Sequence, residues 1–265
     1  DVDGVQFDDY FYPFNVNSTD VTLDQAAYQQ SGSTLSIGAW RTQNINSLVS
    51  SVYKMIKETK PNVVFGISPQ GNITNDLNAG ADVYTWCSQP GYIDYICPQI
   101  YWTYDHPTAP FETLAKKWKS LVTADNVKMY IGLALYKAGT DSNGWEKADN
   151  IIAQQIQTTR SLDCDGFMLY SWAYLDNPQT AKEMATGGVF ATDADICIAV
   201  TGVAGPDGGT PEKPVGLVYI ACYMKDSVQV EEYHFNGNRE KVREQTVVQA
   251  LDLLRRSVLS HYKKD

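Results

Sequence analysis

Up to about residue 172, short apolar segments alternate with longer amphipathic segments, and no tight-turn signal joins two neighbouring apolar segments. Apolar residues at helical spacing predict α-helices, and the short apolar segments between them predict buried β-strands. Because strands that alternate with helices form right-handed crossover units, this pattern predicts a parallel sheet. The predicted strands lie at residues 3–8, 63–67, 92–102, 129–136 and 165–172.

The ends of these strands distinguish between two kinds of parallel sheet. A dinucleotide-binding sheet has a glycine-rich phosphate turn after its first strand, whereas this chain has Asp8-Asp9 there. Polar or aromatic residues end each strand, which is typical of the mouth of a (β/α) barrel. We therefore predict an α/β fold containing a partial (β/α) TIM barrel of about five parallel strands. A closed barrel has eight strands, so we expect that barrel strands are missing before Asp1.

The opening segment, DVDGVQFDDYFYP, ends in two carboxylates and a row of aromatic rings. Side chains alternate along a strand, so Val5 and Phe7 share one face, and Gln6 and Asp8 share the other. In a barrel the polar face points into the mouth, which places Asp8 there and Asp9 at the start of the loop. Carboxylates beside aromatic rings favour a sugar site, although an ordinary Asp-Asp turn is the alternative.

Residues 14–39 follow this strand and are rich in Asn, Ser, Thr, Asp and Gly. The composition predicts a long loop over the carboxyl end of the strand. Long loops in that position are commonly functional, so we expect this one to border the site.

Composition excludes several classes of function. The net charge of −10 argues against a nucleic-acid partner, because such a surface repels phosphates. No run of 18 apolar residues predicts a membrane span, and no signal peptide opens the sequence. The five cysteines form no C-x-x-C pair and the three histidines are far apart, so we predict reduced core thiols, no metal site and no cofactor.

Four segments of the chain resemble the glycosyl-hydrolase-like family 10 of bacterial TIM-barrel proteins: the opening segment, WRTQNINSLVSSVYKMIKETKPNVVFGISPQGN, YICPQIYW with DHP after it, and GFMLYSWAYL. The resemblance covers roughly residues 1–180 and implies glycoside hydrolase activity, with barrel strands four to eight present. The spacing Gly-Val-Gln-Phe-Asp also resembles the fourth strand of alpha-amylase-type barrels. The matching carboxylate there is the nucleophile, which favours Asp8 over Asp9.

On this reading Asp8 is the principal carboxylate and Asp9 is its neighbour. Hydrolysis needs a second carboxyl at ~5 Å for retention or ~6.5–9.5 Å for inversion. No Glu ends a predicted strand, and Asp105 is the best candidate for this second role. The alternatives are that Asp105 is an ordinary loop acid and that the second carboxyl belongs to the missing strands. Aromatic and hydrogen-bonding residues at the strand ends are the expected sugar-binding residues: Tyr10, Gln99, Tyr101, Trp102, His106, Tyr136 and Trp172.

The pattern changes after residue 185, where a glycine-rich run precedes two closely spaced strands, 217–223 and 228–235, and a final helix. The short spacing predicts an antiparallel pair. Backbone N–H groups of the glycine-rich run could bind a phosphate, but a structural turn fixed by Gly and Pro is the alternative that spacing alone favours. Gly-Lys-Ser/Thr is absent, so the run is not a P-loop. Thr201, Thr210 and Lys213 would supply the polar groups and the cation of such a phosphate site.

Two segments, ADICIAVTGVAGPDGGTPEKPVGLVYIA and FNGNREKVREQTVVQALDLLRR, resemble the C-terminal domain of CinA, the nicotinamide-nucleotide amidohydrolase family. The resemblance covers about residues 179–260 and implies deamidation of nicotinamide mononucleotide by a serine nucleophile with a nearby lysine. The family carries that serine in a Glu-Ser-Cys-Thr-Gly-Gly motif, which this chain does not contain. Without its nucleophile the covalent route is lost, so we expect this fragment to bind nicotinamide mononucleotide at most. The resemblance implies that the phosphate-binding half remains, with the candidate residues Thr201, Gly205, Gly208, Gly209, Thr210 and Arg239.

Together the two resemblances predict a partial TIM barrel at residues 1–180 and a fragment of an α/β amidohydrolase domain at 181–265. We interpret the chain as a chimera, with a natural two-domain enzyme as the alternative, and expect self-association through open sheet edges. The favoured function is hydrolysis of O-glycosyl bonds in an unidentified bacterial or plant polysaccharide or oligosaccharide, impaired by truncation. A CinA-like fragment and a non-catalytic carbohydrate-binding or structural remnant are the alternatives. The barrel family is often exported and the second family is cytoplasmic, so no localisation is assigned.

Overall fold

A computed structural model describes residues 2–9, 11–13, 23–140, 144–146 and 150–262. The strands are β1 Gly4–Phe7, β2 Val64–Ile67, β3 Tyr95–Ile96, β4 Lys128–Leu133, β5 Gly166–Leu169, β6 Ile196–Gly202, β7 Leu217–Met224 and β8 Ser227–His234. The helices are α1 Gln25–Ser31, α2 Ile37–Thr59, α3 Ile73–Asn78, α4 Val83–Ser88, α5 Phe111–Leu121, α6 Ile151–Ser161, α7 Pro178–Thr192 and α8 Arg239–Tyr262. Short 3-10 turns lie at Leu135–Lys137 and Trp172–Tyr174.

The first five strands form one sheet in the order β1-β2-β3-β4-β5. The three pairs from β1 to β4 are parallel, with Gln6 opposite Gly66 and Gly66 opposite Tyr95. A doubly wound sheet reverses its strand order, whereas the strands of a (β/α) barrel follow one another in sequence. The sheet is therefore a curled half-barrel, which confirms the predicted partial barrel of five strands followed by a separate α/β fragment.

One face of this sheet is apolar, as the alternation along β1 predicts. Val5 and Phe7 lie opposite Phe65 and Ile67, and the Phe7 and Phe65 rings meet edge to face with centroids 5.0 Å apart. Phe65 and Ile67 are completely buried. The indole N–H of Trp118 in α5 donates to the carbonyl oxygen of Gly71 at 2.9 Å, which joins this helix to the turn that follows β2.

The other face of the sheet carries polar and aromatic side chains, and one of these crosses a glycine. The Tyr95 hydroxyl on β3 passes over Gly66 on β2 and donates to Oε1 of Gln6 on β1 at 2.9 Å. A Cβ atom at residue 66 would lie 2.2 Å from the Tyr95 ring, which is far inside van der Waals contact. Glycine is therefore required here so that one ring can bridge three strands.

Two predictions about local structure are corrected. Residues 14–39 are not one long loop, because α1 occupies Gln25–Ser31 and α2 begins at Ile37, where the Ser36 hydroxyl caps the helix by accepting from the Ala39 N–H at 3.3 Å. Residues 14–22 lie outside the described ranges. The third strand, Tyr95–Ile96, is shorter than the predicted 92–102, since Pro98 has no N–H to donate. The N–H groups of Cys97 and Gln99 still donate to the carbonyl oxygens of Ile67 and Pro69, both at 2.9 Å.

The last three strands form a separate antiparallel sheet in the order β6-β7-β8, which confirms the antiparallel pair predicted at 217–235. Neighbouring residues of β7 point to opposite faces of this sheet. Ala221 packs with Ala181 and Ala185 of α7 on one face. Ile220 packs with Val242 and Leu253 of α8 on the other. Each helix therefore covers one face of the sheet.

The chain divides into two compact units, Asp1–Leu133 with Thr159–Met168, and Ala134–Thr158 with Leu169–Asp265. Within the second unit, both carboxylate oxygens of buried Glu183 accept from backbone N–H groups at the start of α6, those of Ile152 at 3.1 Å and Ala153 at 2.8 Å. The domain boundary at residue 180 lies inside α7 and stays a prediction.

The five cysteines are free thiols, as the sequence predicts. Burial raises the pKa of Cys87 and of Cys97 to about 12, so both remain protonated core residues at neutral pH. No helix within the described ranges combines the length and the apolar character that crossing a bilayer requires.

We predict that Gly66→Ala destabilises the protein by about 1–3 kcal/mol, because the new methyl group overlaps the Tyr95 ring. Gly187→Ala is the control, since its Cβ would meet only Ala153 at an ordinary 3.6 Å and alanine favours the helix. Urea unfolding followed by tryptophan fluorescence measures both. Equal free energies of unfolding for the two variants would contradict the close approach at Gly66.

Candidate functional site

Polar groups from three strands meet at the carboxyl edge of the first sheet. Asp8 follows β1, Ser68 follows β2 and Gln99 follows β3. The Gln99 side-chain amide donates to Oδ1 of Asp8 at 2.8 Å and to the carbonyl oxygen of Ser68 at 3.0 Å. The structure thus brings together Asp8 and Gln99, two of the residues that the sequence assigned to the site.

Asp9 lies next to this carboxylate and differs from it in environment. Its own backbone N–H donates to Oδ1 of Asp8 at 2.9 Å, and its side chain is half-buried. Partial burial, followed by the negative charge and the hydrogen bond of Asp8, raises the pKa of Asp9 above the ordinary value for aspartate. A carboxyl beside another carboxylate holds its proton more tightly, so the neighbouring Asp8 favours the protonated form of Asp9.

A cavity of about 550 Å³ opens beside Asp8. It lies between β1, the residues that follow this strand, and α2, and its lining residues are Gln6, Phe7, Asp8, Phe11, Tyr12, Asn44, Ile45 and Leu48. Tyr10, the aromatic residue singled out from the sequence, is outside the described residues. Phe11 and Tyr12 belong to the same aromatic run, which was the signal that could have identified them.

A buried ion pair holds the Tyr12 side of this cavity. The Arg41 guanidinium lies 5.7 Å from the centre of the Tyr12 ring and bonds both carboxylate oxygens of Asp24, at 2.8 and 2.5 Å. The hydrogen bonds from Arg41 lower the pKa of Asp24, so this partner stays ionised. Burial raises the pKa of the Tyr12 hydroxyl, which keeps the ring neutral. Arg41 of α2 therefore holds the aromatic wall of the cavity in place.

The segment after β3 carries three further predicted residues. The Trp102 and His106 rings lie 6.0 Å apart, and Nδ1 of His106 accepts from the Ala109 N–H at 3.0 Å. A Cβ at Gly71 would lie 2.5 Å from the Trp102 ring, so glycine permits the indole to pack on this turn. Asp105 is exposed in the same segment and shares no hydrogen bond with Asp8 within the described part of the chain.

Tyr101 also lies in this segment, where it is half-buried and its N–H donates to the Gln99 carbonyl oxygen at 3.0 Å. Tyr136 and Trp172 belong instead to the second compact unit. Tyr136 contacts the rings of Tyr170 and Tyr174 at 6.0 Å each, and Trp172 is 81% exposed. Whether these residues bind sugar stays a prediction.

Lys137 lies among these rings of the second unit. Its ammonium group is 5.6 Å from the centre of the Tyr136 ring and 6.0 Å from that of Trp145. Burial lowers the pKa of Lys137 from the ordinary value for lysine. A cation over aromatic faces is stabilised by their quadrupoles, so the rings hold this side chain in place.

Asp76 in α3 is a candidate that the sequence did not indicate. It is 2% exposed, its Oδ1 accepts from the Gln70 N–H at 2.9 Å, and its Oδ2 has no hydrogen-bond partner among the described residues. Burial, with a smaller contribution from the charge of Asp9, raises the pKa of Asp76 to about 8. The polar segment NITNDLN gave no sign that its aspartate would be buried and protonated at neutral pH.

The glycine-rich loop of the second unit is fixed by its own polar groups. The Thr210 hydroxyl accepts from the Lys213 N–H at 3.0 Å, and the Arg239 guanidinium donates to the Gly205 carbonyl oxygen at 2.9 Å. Gly205 is buried with a φ of +78°, a value that favours glycine. The remaining candidates, Gly208 and Gly209, are exposed.

Side chains at the base of this loop bind the preceding chain segment. The Thr201 hydroxyl donates to the Leu175 carbonyl oxygen, and the Lys213 ammonium donates to that of Ala173, both at 2.6 Å. These bonds show what the polar groups do within the chain, and phosphate binding by the loop stays a prediction. Within the described ranges no three His, Cys, Asp or Glu side chains are grouped so that they could hold a metal ion.

These features define an α/β protein with two adjacent carboxyl groups at the carboxyl edge of a parallel sheet. The model of the family Glycosyl hydrolase-like 10 matches residues 1–148, more than half of the chain. The chain belongs to this family. The model of the CinA C-terminal domain matches residues 176–258, so the two resemblances found in the sequence are confirmed in different parts of one chain.

Curated relatives match parts of this chain or all of it. Glycosyl hydrolase DigH of Escherichia coli O6:H1 is 34% identical over 206 residues, which cover 69% of this chain and 46% of DigH. Glycosyl hydrolase YngK of Bacillus subtilis is 30% identical over 285 residues, covering 100% of this chain and 54% of YngK. A competence-damage inducible protein of Clostridium novyi is 53% identical over 81 residues, covering 31% of this chain and 20% of that protein. The chain spans about half the length of the glycosyl hydrolases it matches.

We predict that Asp76→Asn flattens the pH dependence of stability. The pKa of Asp76 is about 8 in the folded protein and 3.8 as an ordinary aspartate. The folded protein therefore retains a proton that the unfolded chain releases, and this contribution is full below pH ~4 and lost as the pH rises through 8.

Urea unfolding at pH 5 and pH 8 measures the effect. Between these pH values the variant should lose about 2–4 kcal/mol less free energy of unfolding than the wild type, at about 1.4 kcal/mol per pKa unit. Asp105→Asn removes an exposed carboxylate and controls for charge alone. Parallel pH profiles for the wild type and Asp76→Asn would contradict a protonated Asp76.

Proposed function

We propose that the site at Asp8 hydrolyses O-glycosidic bonds of a polysaccharide or oligosaccharide. The observation that carries this proposal is the Asp8 carboxylate, which Gln99 holds at 2.8 Å beside a cavity with aromatic walls. Glycoside hydrolysis passes through a transition state with positive charge on the sugar ring, and a fixed carboxylate stabilises that charge. Membership of Glycosyl hydrolase-like 10 supports the same class of reaction.

The two adjacent acids take different roles in this proposal. Asp8 is the charged group, as nucleophile or as stabiliser of the oxocarbenium-like sugar. Asp9 is the proposed general acid, because partial burial and the neighbouring Asp8 raise its pKa and so favour the protonated form that a general acid needs. Asp105 is the competing candidate from the sequence; it is exposed and shares no hydrogen bond with Asp8 within the described residues.

Aromatic residues supply the proposed sugar-binding surface. Phe11 and Tyr12 line the cavity next to Asp8, so an apolar sugar face can stack there while hydroxyl groups meet Asn44 and Gln6. The Arg41 guanidinium contacts the Tyr12 ring and limits its movement. A fixed ring loses little entropy on binding, so this wall suits a sugar ring better than a mobile side chain would.

We predict that Asp8→Asn lowers the rate of hydrolysis by about a thousandfold or more, because the amide cannot stabilise a positive transition state. Reducing-end release from a panel of plant and bacterial polysaccharides measures the rate. Asp3→Asn is the matched control, since Asp3 is exposed before the opposite end of β1. Full activity of Asp8→Asn would refute the assignment, whereas binding without turnover by the wild type in calorimetry would favour a non-catalytic carbohydrate-binding protein.

The acid is identified by comparing two substrates. We predict that Asp9→Asn slows polysaccharide hydrolysis by about 10²–10⁴-fold but barely affects an aryl glycoside whose leaving group needs no proton. Asp105→Asn should leave both rates near those of the wild type. The reverse pattern, with Asp105→Asn selective for the polysaccharide, would move the acid role to Asp105.

A further inference from the structure

The first strand of the antiparallel sheet has an unpaired edge. Within the described residues, β6 pairs along its whole length with β7 and with no other strand. The Val203 N–H donates to the Leu217 carbonyl oxygen at 2.9 Å, so the backbone groups of residue 203 point towards β7. Since these groups alternate along a strand, those of Ile198 and Val200 point away from β7. They present alternating donors and acceptors to a further strand.

The two edges of this sheet differ in charge. The outer strand at the other side, β8, carries Glu231, Glu232 and His234. Charged side chains on an edge strand are a common protection against pairing with another chain. The sequence of β6, ICIAVTG, has no Asp, Glu, Lys, Arg or His. The protection found at β8 is therefore missing at β6.

Apolar surface lies beside the free edge. A cavity of about 570 Å³ is lined by Val200 and Gly202 of β6, by residues of α8 and by Met184 of α7. Three of its apolar residues are well exposed, with exposed fractions of 45% for Met184, 38% for Val200 and 56% for Val247. A strand added to β6 would reduce this exposure, so hydrophobic burial would accompany the backbone hydrogen bonds.

We propose that the β6 edge pairs with the β6 edge of a second copy of this chain, antiparallel and around a two-fold axis at Ala199. In this register Ile198 lies opposite Val200 of the second copy, and Ile196 lies opposite Gly202. All four residues have backbone groups that point to the free edge, so each opposed pair exchanges two hydrogen bonds. The pairing would convert two three-stranded sheets into one continuous sheet.

The chemistry of β6 favours a second copy over a different partner. In the proposed register Ile198 and Val200 are apolar residues on the same face, so each lies opposite an apolar residue of the second copy. Ala199 meets Ala199 at the axis, where paired backbones approach most closely and a small side chain fits. Cys197 meets Thr201 on the other face, and no like charges oppose each other within the strand. A two-fold interface requires this self-complementarity.

The net charge gives the association a characteristic dependence on salt. Each copy carries a formal charge of −10, so two copies repel one another at low ionic strength. The paired strands themselves are uncharged, so salt screens the repulsion without weakening the contact. Dimerisation should therefore strengthen as salt is added.

Sedimentation velocity of the full 265-residue chain over a concentration series tests the proposal. The wild type should dimerise, and Val200→Lys should raise the dimer dissociation constant by about tenfold or more, because it places two like charges beside the axis. Gln229→Lys introduces the same charge on exposed β8 and should leave the constant unchanged. A monomeric wild type, or a dimer equally stable in Val200→Lys, would overturn the proposal.

Hydrogen exchange on the wild type gives an answer even if Val200→Lys does not fold. The amides of Ile198 and Val200 point away from β7 and should become protected as the protein concentration rises. The amide of Ala199 points towards β7 and should show protection that does not depend on concentration. If all three amides exchange independently of concentration, no second strand pairs with this edge.

Discussion

The candidate site depends on the parallel, sequential order of β1, β2 and β3. Parallel strands end at the same edge of a sheet, so Asp8, Ser68 and Gln99 meet although Asp8 and Gln99 are 91 residues apart in the chain. The Gln99 amide can then bond Asp8 and the Ser68 carbonyl oxygen at once. A change of register in β3 would move this side chain away from both partners, because successive side chains point to opposite faces.

Close approaches at glycine make the same edge compact. Gly66 allows Tyr95 to reach Gln6 across an intervening strand, and Gly71 allows Trp102 to pack on the turn after β2. These contacts position Gln6 and Asp8, whose side chains stay exposed to solvent at this edge. Stability and chemistry are therefore linked in this sheet: the contacts that hold the strand ends together also shape the surroundings of the carboxylates.

The sequence predicted the architecture better than the details of the site. Alternating strands and helices predicted the five-stranded sheet, and the polar strand ends predicted Asp8 and Gln99 at one edge. Composition failed at Gln25–Ser31, where α1 forms, because the count over residues 14–39 averaged a short run of the helix formers Ala and Gln with the Asn, Ser, Thr and Gly around it. It also gave no sign of Asp76, since polar residues are usually exposed and only the packing around α3 buries this one.

By itself, the sequence determined the parallel sheet, the antiparallel strands after residue 185 and membership of the glycosyl hydrolase-like family, because periodicity and motifs are local properties of a chain. Only the tertiary structure decided which amide holds Asp8, which acids are buried, and which sheet edge lacks both a neighbour and charged protection within the described residues. These features depend on contacts between residues far apart in sequence. The packing of the folded chain buries Asp76, which raises its pKa, and leaves Val200 exposed. Neither property can be obtained from neighbouring residues alone.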